Sequence, residues 1–256
     1  MTVSVAVHGA TGRLGGAIAE LVRRESDLEL AAELSSESSL GEMDGADVLI
    51  DASRLEASER AVEHALKAGL DVVVGTSGWD RARLDRLAER IPAGRGVIVV
   101  PNFSIGSVLG THLATTAARW YESIEIVEAH HDRKVDAPSG TAVRTAERIA
   151  EARRQARLDP IEPPTPDEPG RGAVIAGVPV HAMRLRGVTA DQRVVLGGVG
   201  EILEIRHETF SSAAYERGIL LALRAAPSTD GLVVGLDRLL DLDAGPAGRQ
   251  GGEAGR

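Results

Sequence analysis

The sequence predicts an α/β protein: an N-terminal doubly wound parallel sheet, followed by a central α+β region with a mixed sheet. Three observations carry this reading. From Val3 to Val100, short β-branched runs alternate with amphipathic helical stretches. A glycine-rich loop, Gly9–Gly15, follows directly on the first of those runs. Beyond Gly177, apolar runs crowd together with no helical stretch between them.

The elements follow in order. Val3–Val7 (V-S-V-A-V) reads as a buried strand, and Leu14, Ile18, Leu21 and Val22 then recur at helical spacing. Further strands are expected at Leu28–Leu34, Val48–Asp51, Val72–Val74 and Val97–Val100, with helices near Ala57–Ala68 and Arg81–Arg90. Such alternation implies parallel β-α-β units joined by right-handed crossovers. At Ser104 the rhythm changes. A helix over Val108–Trp120 leads to a strand, Ile124–Ala129, and a helix from Thr141 to about Ala156 buries Ala142, Val143, Ala146, Ile149 and Ala150 on one face. Asp159–Gly170 holds five of the eleven prolines and reads as a surface loop. Strands at Val178–Leu185, Arg193–Leu196 and Ile202–His207 form the mixed sheet. A last helix near Ala213–Ala225 and a short strand at Leu232–Gly235 precede a Gly-rich tail, expected to be flexible over 244–256.

Composition excludes several function classes. A net charge of −9 and 2% aromatics speak against nucleic acid as a partner, because phosphate neutralisation and base stacking both lack their side chains. No stretch has the length of a membrane span, and Met1 is followed at once by a strand-like run, so no membrane partner and a cytoplasmic location are expected. With no cysteine there is no disulfide or thiolate metal site, and no metal is expected.

The most informative run is Glu128–Ala142, E-A-H-H-D-R-K-V-D-A-P-S-G-T-A. Imidazole transfers protons near neutral pH. An ammonium holds a carboxylate or donates a proton, and a helix start (here S-G-T) offers free N–H groups to an anion. The chain has 27 arginines and only two lysines, Lys67 and Lys134. A lysine in so Arg-biased a sequence points to a task that arginine cannot do, such as giving up a proton. His130, His131, Lys134, Ser139, Gly140 and Thr141 therefore describe a pocket for an acidic small molecule that undergoes proton chemistry.

The loop Gly9-Ala10-Thr11-Gly12-Arg13-Leu14-Gly15 lies between the first strand and the first helix, where glycines let the main chain approach a pyrophosphate. Two further segments fall at the same sheet edge: Gly75-Thr76-Ser77 and Val100-Pro101-Asn102-Phe103. The acid that usually binds the adenosine ribose is missing from the end of the second strand, which reads Ser35-Ser36, while Glu33 lies within that strand. Arg13 could meet a 2′-phosphate. The cofactor is read as NADPH or NADH, with NADPH favoured.

These motifs together resemble the 4-hydroxy-tetrahydrodipicolinate reductase (dihydrodipicolinate reductase) family. The run Glu128–Ala142 is specific to it. V-A-V-H-G-A-T-G-R-L-G, V-V-G-T-S-G-W-D, P-N-F-S-I-G, G-V-P-V-H-A-M-R-L and E-I-R-H-E fall in family order over roughly residues 3 to 242. The resemblance implies a Rossmann domain over 1–103, completed by about 212–243, and a central substrate-binding domain over 104–211 that assembles a homotetramer. It implies NAD(P)H-dependent reduction of a small cyclic dicarboxylate in the diaminopimelate branch of lysine synthesis. His130 is then the general acid and Lys134 acts with it while holding one carboxylate. His131 contacts substrate, and Gly140 and Thr141 bind the other carboxylate beside Ser139. Gly9–Leu14, Ser35, Gly75–Ser77 and Val100–Phe103 line the cofactor.

The chain departs from the family pattern at Ala52 and Leu55, where an aromatic and a proline are usual, and at Ser212, where the family carries arginine. The alternative reading is a paralogous reductase of a related cyclic imine or unsaturated acid with the same His/Lys chemistry. A nucleotide sensor without turnover has no use for the intact proton-donor run.

Overall fold

The computed structural model describes residues 2–163 and 168–242. The tail over 244–256 and part of the proline-rich loop lie outside the described residues. The chain forms two compact units, one running to Phe103 and resuming at Tyr215, the other spanning Ser104–Ala214.

The first unit is a six-stranded sheet. Its strands are β1 (Val3–His8), β2 (Leu28–Leu34), β3 (Val48–Asp51), β4 (Asp71–Val74), β5 (Gly96–Val99) and β11 (Gly231–Val234), in spatial order β11-β5-β4-β3-β1-β2. Every pairing is parallel. Helices α1 (Arg13–Arg24), α2 (Leu55–Ala68), α3 (Arg81–Ala88) and α6 (Glu216–Ala225) belong to the same unit, the short α7 (Leu236–Leu239) with them. All four residues of β3, β4 and β5 are buried, which is why these strands read as unbroken apolar runs and not as alternating ones. The strand order reverses between β1 and β3. In open α/β sheets this switch point opens a crevice outside the carboxyl ends of the strands.

The second unit is a five-stranded mixed sheet, β10-β9-β6-β8-β7, built from β6 (Ser123–His130), β7 (Ala173–Ile175), β8 (Val178–Arg184), β9 (Ala190–Gly198) and β10 (Glu201–Thr209). Only β6 and β8 pair in parallel. Ile124, Ile126, Val178, Val180, Val194 and Leu196 point to one face and form a core with Ala114 of α4 (Ile105–Ala117) and Ala142, Ala146 and Ile149 of α5 (Gly140–Gln155). The opposite face carries Glu125, His181, Arg193 and Arg206, with the exposed apolar side chains of Met183 and Ile202.

Both predicted sheets are present. β9 and β10 run further than their apolar cores, because the hairpin ladder continues through polar residues. β7 was not foreseen from the sequence. It is a three-residue strand joined to β8 by the two-residue turn Ala176-Gly177, with φ of 50° and 89°. Positive φ at both positions is what a tight hairpin of this twist requires.

Candidate active site

The first unit gathers its predicted residues at the carboxyl ends of β1, β2, β4 and β5. Gly9 has φ +82°, and a Cβ there would lie 2.6 Å from the Ala52 carbonyl oxygen. At Gly15 a Cβ would come within 2.1 Å of the Gly9 oxygen. No side chain fits at either position, so the loop lies tight against the helix behind it. The N–H groups of Gly9 and Ala10 donate to Leu34 O at 2.9 and 3.0 Å, tying the loop to the end of β2. Helix α1 starts after Gly12 with no side-chain cap and no acidic residue in its first turn. Exposed Thr11, Gly12 and Arg13 surround that start. Its positive end is thus left for an anion, and these features fit a nucleotide pyrophosphate.

Ser35 sits in the turn after β2, its Oγ accepting from the Glu37 N–H at 3.1 Å. The acidic alternative, Glu33, is paired with Arg23. Gly75 must lack a side chain, since a Cβ there would lie 2.6 Å from the Phe103 ring. Ser77 and Pro101 are exposed and Asn102 is half-buried. Val100 and Phe103 are buried, leaving mainly main-chain groups to face a ligand. Leu55 packs over Gly78, where a built Cβ lies 3.0 Å from its side chain.

Thr76 turns its hydroxyl inward. It donates to Asp51 Oδ2 at 2.6 Å, and Asp51 Oδ1 accepts from His8 Nδ1 at 2.7 Å and Ser53 Oγ at 2.6 Å. Burial pushes the Asp51 carboxyl up, but hydrogen bonds from His8, Ser53, Ser58 and Thr76 outweigh it and hold the group below its ordinary value. Sequence reasoning missed this network. Its only signal was a polar residue closing an otherwise apolar strand, at His8 and at Asp51.

The second unit holds the proton-donor run. β6 ends at His130, whose register partner on β8 is Arg184. Glu128, two residues earlier and so on the same face, is fully buried. Its Oε2 accepts from His130 Nδ1 at 2.6 Å and from Arg184 Nη1 at 3.0 Å. Its Oε1 accepts from Arg184 Nη2 at 2.9 Å and from the Ser139 N–H at 3.0 Å. Burial opposes ionisation of Glu128, yet His130, Arg184 and the Ser139 N–H together hold its carboxyl below the usual range.

Ser139 is the buried N-cap of α5, its Oγ accepting from the Ala142 N–H at 3.3 Å. Gly140 is exposed, and a Cβ built on it would meet nothing within 4 Å, so the helix start opens onto free space. Thr141 follows it in the first turn, which holds no acidic residue. Lys134 Nζ donates to Asp136 Oδ1 at 2.8 Å. That bond, against the opposing effect of slight burial, lowers the Asp136 carboxyl. Arg184 Nη2 also donates to the Asp136 carbonyl at 2.6 Å, pinning the loop that carries Lys134. His131 Nδ1 is shut from solvent and has no hydrogen-bond partner among the described residues. Ser212 is exposed and opens a short 3-10 turn.

His130 and the Ser139–Thr141 helix start are therefore joined through one carboxylate. The residue that joins them, Glu128, was in view in the sequence without a role. Alternation along a strand could have put it on the face of His130. Arg184 had no such signal, because only the β6–β8 pairing brings it there.

A parallel sheet with a glycine loop at its switch point, together with a unit that presents an imidazole beside an open helix start, defines an NAD(P)H-dependent oxidoreductase. Residues 3–103 match the family model described as "Dihydrodipicolinate reductase, N-terminus", and residues 106–240 match its C-terminus. The chain belongs to the dihydrodipicolinate reductase family. It is 51% identical over 245 residues to the 4-hydroxy-tetrahydrodipicolinate reductase of Clavibacter michiganensis subsp. michiganensis, covering 95% of this chain and 88% of that one. The protein of the same name from Beutenbergia cavernae is 46% identical over 251 residues, covering 94% and 100%. Among solved structures, the dipicolinate-bound dihydrodipicolinate reductase of Paenisporosarcina sp. TG-14 superimposes with a TM-score of 0.80 at 29% identity, covering 93% and 99%.

Proposed function

We propose that this chain reduces 4-hydroxy-tetrahydrodipicolinate to tetrahydrodipicolinate in the diaminopimelate branch of lysine synthesis. One hydride and one proton are added and one water leaves. The observation that carries the reading is the shared carboxylate: Glu128 binds the imidazole of His130 and the N–H of Ser139, the N-cap of α5, so the proposed proton donor and anion site are held in one frame.

His130 is the general acid. Lys134 assists it and exchanges its Asp136 partner for a substrate carboxylate. The second carboxylate lies on the helix start at Ser139, Gly140 and Thr141, where the Ser139 hydroxyl, the main-chain N–H groups of Gly140 and Thr141 and the helix dipole favour an anion. His131, next to His130 and only partly buried, contacts the substrate. Two separate anion points suit a dicarboxylate, as does the dipicolinate named with the Paenisporosarcina structure.

Gly9, Ala10, Thr11, Gly12, Arg13, Leu14, Ser35, Gly75, Thr76, Ser77, Val100, Pro101, Asn102 and Phe103 would hold a nicotinamide cofactor, which would supply the hydride when bound. We favour NADPH, because Glu33 is already paired with Arg23 and Ser35 brings no negative charge to a 2′-phosphate. The working form is a cytoplasmic homotetramer built on the second unit's sheet, where Met183 and Ile202 stay exposed on the face opposite the helices. Among the described residues no helix is long and apolar enough to cross a membrane.

A coupled assay with the synthase that makes the substrate, following cofactor oxidation, tests the reaction. Oxidation that depends on the synthase is expected. Its absence, with turnover of another cyclic imine, would overturn the assignment.

A further inference from the structure

We infer that Glu128 and Arg184 act as an opposed pair of positioning residues: Glu128 fixes which nitrogen of His130 carries the transferable proton, and Arg184 sets how tightly that proton is held. The inference rests on His130 being the acid.

The geometry gives the first half. A carboxylate only accepts hydrogen bonds, so the 2.6 Å contact from Nδ1 requires a proton on Nδ1 whenever Glu128 is ionised. Glu128 is ionised: its carboxyl is held below the usual range, and three donors surround it. Neutral His130 therefore keeps Nδ1–H, and Nε2 is the atom that gains and gives the mobile proton. The tautomer and the ring orientation are fixed by one bond.

The second half follows from charge. A buried carboxylate alone beside an imidazole would stabilise the imidazolium and make it a reluctant donor. Arg184 places two guanidinium N–H groups on the same carboxylate, at 2.9 and 3.0 Å, and takes up much of that negative charge. The other groups around the ring do not duplicate either effect. On β9, Ala190 stands opposite His130 and neutral Gln192 opposite Glu128. Asp191 belongs to the other face and is bound by Arg206 at 2.7 Å. In the loop, Lys134 is paired with Asp136, and Asp132 with Arg186 at 3.0 Å. Just ahead of α5, the neutral Ser139 main chain donates to Glu128 at 3.0 Å.

The two residues should thus move His130 in opposite directions, which a merely structural pair would not do. Imidazole nitrogen NMR on the full chain without substrate tests this, with His130 assigned by the signal lost in His130→Gln. The wild type should show the Nδ1–H tautomer above its titration midpoint. Glu128→Gln should lower that midpoint and Arg184→Met should raise it, because the first removes the carboxylate at Nδ1 and the second removes the cation that neutralises it. The alkaline limb of kcat should follow in the same directions. An Nε2–H tautomer in the wild type, or midpoints that shift the same way or not at all, would overturn the inference. If Glu128→Gln does not fold, the wild-type tautomer and Arg184→Met decide the question alone. The NMR result needs no turnover. Opposed shifts in a protein inactive in the coupled assay would sink the proposed reaction and leave the pair standing, while turnover without those shifts would do the reverse.

Discussion

Each unit buries a carboxylate against a histidine, and the two pairs differ in everything around that bond. In the first unit His8 is 5% exposed, and Asp51 spends its remaining capacity on the hydroxyls of Thr76 and Ser53. In the second, the His130 side chain is 18% exposed, and Glu128 also holds a guanidinium and a helix N–H. Neutral hydroxyls close the first pair into a brace between the loops after β1, β3 and β4. A charged partner and an opening to solvent leave the second able to exchange a proton. The bond is the same in kind; its neighbours and its exposure decide what it does.

The sharpest way to break this comparison is to remove the proposed donors. His130→Gln and Lys134→Gln should each lower turnover by about two to four orders of magnitude, with cofactor affinity by fluorescence titration nearly unchanged. Near wild-type turnover in both would put the second pair on the same footing as the first. Next in size, Asp51→Ala leaves His8, Ser53 and Thr76 without their acceptor. It should cost roughly 2–4 kcal/mol in urea denaturation at neutral pH, about what buried unpaired polar groups cost. A loss well under about 1 kcal/mol would show that Asp51 is not a brace.

Acid should weaken both units. The native carboxyls of Asp51 and Glu128 lie below their unfolded values. Their contribution is therefore complete above the ordinary carboxylate range, about pH 4, and is lost as pH falls through the lower native values. Denaturation midpoints should fall on acidification below about pH 4, and less steeply in Asp51→Asn. An equal slope in that variant would remove Asp51 from the account. The smallest effect stays within the first unit: Ser35→Asp should shift preference from NADPH towards NADH by about tenfold, roughly 1.4 kcal/mol. A wild type already selective for NADH would contradict the reading of Ser35.

What could be read from the sequence was whatever repeats locally. The parallel strands announced themselves as short apolar runs, and the glycine loop and the S-G-T helix start pointed to the two proposed anion sites. Boundaries slipped where side chains carry no periodic signal. α4 starts at Ile105, three residues before the apolar pattern suggested, because Ser104 caps it. β7 was too short to show a period. The members of the site that stayed hidden are those joined by sheet pairing across long separations: Arg184 reaches Glu128 over 56 positions, and Asp51 reaches His8 over 43.

Strand β6 does two jobs along a single face. Ile124 and Ile126 enter the core beneath the helices, and Glu128 and His130 continue the same row into the site. Inserting or deleting one residue within this strand would reverse every later side chain, sending both polar groups to the opposite face and apolar neighbours into their place. A change of two would restore the face but slide His130 about 6.6 Å along β8, past Arg184. The strand can therefore be edited by substitution but not by length. The loop from His131 to Pro138 keeps no such phase, but Arg184 pins it at the Asp136 carbonyl and Lys134 bonds Asp136 within it, so its length is constrained as well.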